Sequence, residues 1–169
     1  MKKCGVKIPD STFEKGFTYI NKKHDNPSKN PGYFKYGNIR PETGITNRAA
    51  GMLWALEVNG QKNSELWKQS QVFYRKSMHR KFVYGGHAPA YQNFMCAVAA
   101  HKLGDADWKT YEERMNKSIL IRRKGKYWPV ARGKLDTSHP HGGAIFESAL
   151  MSVILQLPLA NIKILNSAP

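Results

Sequence analysis

Three histidines, two acids and a tyrosine are the residues whose types and spacing come nearest to chemistry. His139 and His141 form a His-x-His pair around Pro140. Two imidazoles at this spacing suit a metal ion only with further ligands, and His87, Asp136 or Glu147 would have to supply one. Pro140 makes the segment a rigid loop, so the pair reads as structural or solvent-facing, and no metal and no cofactor follow from it. Tyr91 and Glu147 fall near the starts of two expected helices. Tyr91 could line a cavity and donate a hydrogen bond, and Glu147 could act as acid or base if burial raised its pKa. Their plainer roles are a packed aromatic and a carboxylate that favours the positive end of its helix. The catalytic candidates are therefore His87, Tyr91, His139, His141 and Glu147. Gly85-Gly86 and Gly142-Gly143 lack the spacing and the Lys-Ser/Thr ending of a phosphate-binding loop.

A second set suits binding. Tyr33, Phe34 and Tyr36 cluster in one irregular stretch, and Tyr127-Trp128 in another. Convergence of Tyr33, Tyr36 and Trp128 with Arg40, Arg123 and Lys126 would make a surface for an acidic polymer or an aromatic ligand. The alternative is that these aromatics plug the ends of helices. The chain carries 27 basic and 12 acidic residues among 169, a net charge of +15. Such a field attracts polyanions, anionic surfaces and acidic proteins. The basic residues are spread along the chain, however, and no base-reading motif is present.

Six helices must position these residues. The first is expected over Pro9 to Lys23, with Phe13, Phe17 and Ile20 on one face, and the second over Ile45 to Asn59, stopped at Gly60. Asn63 or Ser64 opens the third, which passes through Trp67 and Phe73 to Met78, with a connection from His79 to Ala88. Pro89 to Leu103 is the fourth, stopped by Gly104; the fifth starts at Asp107, and the sixth spans Gly143 to Leu157 before Pro158. Short turns follow the second and fourth helices, and longer connections follow the first, third and fifth. Antiparallel packing then sends the three longer connections to one end. Small residues mark the even helices: Ala49-Ala50-Gly51, Ala97 with Ala99-Ala100, and Ala149 with Ser152. They suit an inner layer of close-packed backbones, and the more charged odd helices an outer one.

Ile8-Pro9, Asp25-Asn26-Pro27, Pro31-Gly32-Tyr33-Phe34-Lys35-Tyr36 and Thr46-Asn47-Arg48-Ala49-Ala50-Gly51 carry a family resemblance. Gly85-Gly86-His87 leading to Tyr91, and His141-Gly142-Gly143 leading to Phe146-Glu147-Ser148-Ala149, look like successive repeats. On these pieces the chain resembles the prenyltransferase and squalene–hopene-cyclase repeat family, whose fold is an α/α toroid. The resemblance implies an all-α chain of three αα-hairpin repeats, an arc of a toroid, in one domain over residues 1–169. It does not bring the family's chemistry with it. The Asp-x-Asp-Asp acid motif, the zinc-binding Asp-x-Cys pair and the Gln-x-x-x-Gly-x-Trp motifs are missing.

The expected function is a noncatalytic helical-repeat scaffold or binding domain, engaging protein partners or an acidic ligand. The alternatives are a toroid-cavity enzyme acting on an isoprenoid or polysaccharide, and nonspecific nucleic-acid binding. An incomplete arc exposes its lateral walls, so a homo-oligomer or an adjoining repeat protein is the expected partner, alongside an acidic polymer. The longest apolar stretch, Ala149 to Ile164, is broken by Pro158 and Lys163, so no membrane-spanning segment is expected. Lys2-Lys3 is not followed by a hydrophobic run, which gives no signal peptide and, for a whole chain, a cytoplasmic default. Cys4 and Cys96 read as a terminal thiol and a buried small side chain.

Overall fold

The computed structural model describes residues 9–23, 31–32, 34, 45–81, 89–118, 120–128 and 143–158. They are all-α: α1 (Asp10–Lys23), α2 (Ile45–Val58), α3 (Glu65–Lys81), α4 (Pro89–Leu103), α5 (Asp105–Ser118) and α6 (Gly143–Gln156), with a 3₁₀ turn at Leu120–Arg122. No strand occurs among the described residues; Phe34 is a bridge position and Lys124 and Tyr127 form an isolated antiparallel bridge.

Local chemistry sets the short turns. Gly60 takes φ +72°, its N–H donates to the Glu57 carbonyl, and the Gln61 N–H donates to Leu56, so α2 ends in paired carbonyls. The Ser64 hydroxyl accepts from the Trp67 N–H at 3.2 Å and opens α3. Gly104, at φ +110°, closes α4 by donating to Ala100 and opens α5 by accepting from Trp108. That double use starts α5 at Asp105, two residues before the expected Asp107. Helix α3 likewise runs on through His79–Lys81, where the sequence suggests a connection. No Gly or Pro stands there to stop it.

The even helices form a row. Helix α2 packs on α3 and α4, and α4 packs on α5 and α6. The ion pair between Glu57 and Lys102 and the approach of Met95 to Gly51 join α2 and α4 at nearly one residue offset, so the two run parallel. His101 meets Trp108, and the Tyr111 hydroxyl reaches the Asn93 carbonyl, so α5 runs back along α4. The starts of α2 and α4 and the ends of α3 and α5 therefore share one end of the helical array, from which the longer connections leave.

Small side chains sit where the row is tightest. Ala49, Ala50, Ala97, Ala99 and Ala100 are fully buried, with Leu56, Tyr74, Tyr111, Met151 and Ile154 filling the core around them. Helix α6 departs from this pattern. Ala149 and Ser152, expected to face inward, are exposed, because α6 packs on α4 and turns Met151, Ile154 and Leu157 towards it instead. Helix α1 touches the core through Phe17.

Candidate functional site

Residues 120–128 form the candidate site. Helix α5 ends at Ser118, and the 3₁₀ turn folds back onto it with Leu120 packed against the core. Eight residues later Trp128 is 5% exposed, and its N–H donates to the Ser148 hydroxyl of α6 at 3.0 Å. Between these two anchors the side chains of Ile121 and residues 123–127 are exposed. The stretch is held in shape nonetheless. The Lys124 and Tyr127 backbones exchange N–H donations at 2.9 and 3.2 Å, across a turn that needs the left-handed φ of +59° at Gly125. The Arg123 guanidinium lies 5.6 Å from the centroid of the Trp128 ring.

The result is a basic loop with an aromatic foot. Arg123, Lys124 and Lys126 project from it, and among the described residues none of the three has an acidic partner. Tyr127 is 48% exposed and Ile121 73%. Of the binding residues expected from sequence, the fold therefore brings Arg123, Lys126 and Trp128 together. Trp128 serves as the inward plug and Tyr127 faces solvent. Lys124 and Ile121 join them without being expected from sequence. The signal for Lys124 is the turn glycine, Gly125, across which the Lys124 and Tyr127 backbones pair; Ile121 has no such signal.

The catalytic candidates are placed differently. Tyr91 is half-exposed at the third residue of α4, and Glu147 lies on the first half of α6. His87, His139 and His141, with Asp136, lie outside the described residues, as do Tyr33, Tyr36 and Arg40. Phe34 is buried, and its carbonyl accepts from Arg48 Nη1 at 2.8 Å, which pins the first long connection to α2.

A cavity of about 270 Å³ opens between α3 and α5, lined by Tyr74, Arg75, Met78, Ala106, Asp107 and Thr110. Its polar side chains are engaged in hydrogen bonds. Arg75 forks onto both oxygens of Asp107 at 2.8 and 2.7 Å, and that bond pushes the guanidinium pKa up. The Tyr74 hydroxyl donates to the Cys96 carbonyl, and burial holds its pKa well above the usual phenol value. Among the described residues no three His, Cys, Asp or Glu side chains gather as a metal site.

No family model, curated protein or solved structure matches the chain.

Proposed function

We propose that this chain is a noncatalytic helical-repeat binding domain, built as an arc of an α/α toroid, that engages an acidic partner through the loop at 120–128. The toroid reading is supported by the parallel row of α2 and α4 with outer helices returning along them, at a turn glycine repeated from Gly60 to Gly104. The binding reading is carried by one observation: Arg123, Lys124 and Lys126 are presented on a bonded turn, exposed and without an acidic ion-pair partner among the described residues. Holding three like charges together costs free energy that a bound anion returns. Because the backbone is already fixed, little ordering cost is added on binding.

The test is binding of a labelled mixed-sequence oligonucleotide and of a sulfated polysaccharide across a salt series. Both are expected to bind, with affinity falling linearly on logarithmic axes as salt rises. Changing Lys124→Gln and Lys126→Gln together is expected to lower the slope by about one for each cation lost. A double variant with the parent's affinity and slope would remove this loop as the contact.

A further inference from the structure

What separates one acidic partner from another is the pair of apolar side chains set among the cations. Phosphates and sulfates of a soluble polymer offer nothing to an isoleucine, yet Ile121 is 73% exposed within a chain segment otherwise rich in Arg and Lys. It lies three residues before Lys124, within about 10 Å of backbone. The bridge from Lys124 to Tyr127 then brings the half-exposed phenol ring beside the same turn. An aliphatic tip, a tyrosine and several cations on one short loop match the layering of a lipid interface. There apolar tips enter the acyl boundary, tyrosine rings sit at headgroup depth, and Lys and Arg meet anionic headgroups.

The surroundings of the loop fit the same surface. Tyr91 and Ile145 are also exposed, each on the third residue of its helix. Tyr91 belongs to the end at which α5 finishes, and Trp128 ties the loop to the first half of α6, where Ile145 lies. The end that carries the basic loop thus offers further apolar side chains in a chain of net charge +15. No helix among the described residues is long and apolar enough to cross a membrane.

We infer that the acidic partner is an anionic bilayer surface, with Ile121 and Tyr127 seated among the headgroups and Arg123, Lys124 and Lys126 paired to lipid charge. This rests on the loop being the contact surface, and the experiment separates the two ideas.

The intact chain is sedimented with vesicles of phosphatidylcholine alone and of phosphatidylcholine mixed with phosphatidylserine. Only the mixed vesicles are expected to bind it. Ile121→Ser and Tyr127→Ser leave the charge unchanged, and both positions are exposed, so circular dichroism is expected to match the parent. Each is expected to weaken vesicle binding roughly threefold to tenfold through lost apolar burial. Each cation removed by Lys124→Gln or Lys126→Gln is expected to cost about fivefold. The Ile121→Ser/Tyr127→Ser double variant binding vesicles as the parent does would overturn the membrane inference. So would a parent that ignores the mixed vesicles but still holds the oligonucleotide, an outcome that leaves the acidic-partner reading standing. Binding to neither vesicles nor soluble polyanions would sink both.

Discussion

Tyr74, Tyr111 and Cys96 meet where α3, α4 and α5 come together, and burial raises the pKa of all three. Each is kept neutral in the fold while the unfolded chain ionises at the ordinary values, near pH 8.5 for the thiol and 10 for the phenols. Folding stability is therefore full below these values and falls as pH rises past them. The unfolded chain then releases protons that the folded chain keeps. Urea denaturation is expected to be flat from pH 7 to 8 in respect of these groups. Between pH 10 and 11 it should lose about 1.4 kcal/mol for the thiol and about 1 kcal/mol for each phenol. Tyr74→Phe should lower stability by about 1 kcal/mol at pH 7 and make the alkaline slope shallower. A second buried polar contact, between Glu57 and Lys102 at 3.1 Å, has both side chains under a tenth exposed. Lys102→Met strands the carboxylate, with only the half-exposed Lys62 at 3.8 Å, among the described residues, to answer it. A loss of about 3 kcal/mol is expected from chemical denaturation, with part of it recovered in the Glu57→Gln/Lys102→Met pair.

At the scale of elements, two glycines with similar backbone angles should behave very differently. Gly32 has φ +77° and Gly60 φ +72°. A Cβ at Gly60 meets open space, so Gly60→Ala carries only the left-handed strain, about 1 kcal/mol. A Cβ at Gly32 would overlap the Gln69 carbonyl of α3, so Gly32→Ala must also push the first long connection off that helix. A thermal melt of the two variants should show the larger drop for Gly32→Ala by a clear margin. The same contrast explains what the sequence could tell. Helix existence and stops were legible because Gly60, Ser64, Gly104 and Pro89 act on their immediate neighbours. The inner small residues of α2 and α4 were legible from composition, since each of those helices has a neighbour in the row on the face concerned. The outward turn of Ala149 and Ser152 was not, because it depends on which side of α6 is covered. The loop was half legible. Its charges are plain in the chain, but the choice of Trp128 as plug and Tyr127 as outward ring is made by Ser148, twenty residues away.

For the molecule as a whole, charge is uneven as well as large. Helix α3 carries Arg75, Lys76, Arg80 and Lys81 in its second half, and residues 122–126 add four more basic positions beyond the end of α5. Asp105 and Glu65 lie instead in the first turns of α5 and α3, at the opposite end from Arg80, Lys81 and residues 122–126, while Arg75 and Asp107 pair between them. Self-repulsion of a +15 chain is screened by salt. Raising sodium chloride from about 50 to about 500 mM is expected to lift the melting temperature by a few degrees. A fall would mean that exposed pairs such as Arg75 with Asp107 outweigh the repulsion. Helix α6 ends the row with uncharged side chains towards solvent among those described: Ile145, Ala149, Ser152, Val153, Leu155 and Gln156.

The stacking of Arg123 over Trp128 has an optical consequence. A cation held against an indole face shifts the energy of its excited state, so the emission of Trp128 depends on where that guanidinium sits. Anything that draws Arg123 away changes the signal without touching the ring, which stays buried. With Trp54, Trp67 and Trp108 replaced by phenylalanine, the chain would announce occupancy of its own loop in a cuvette, with no attached dye.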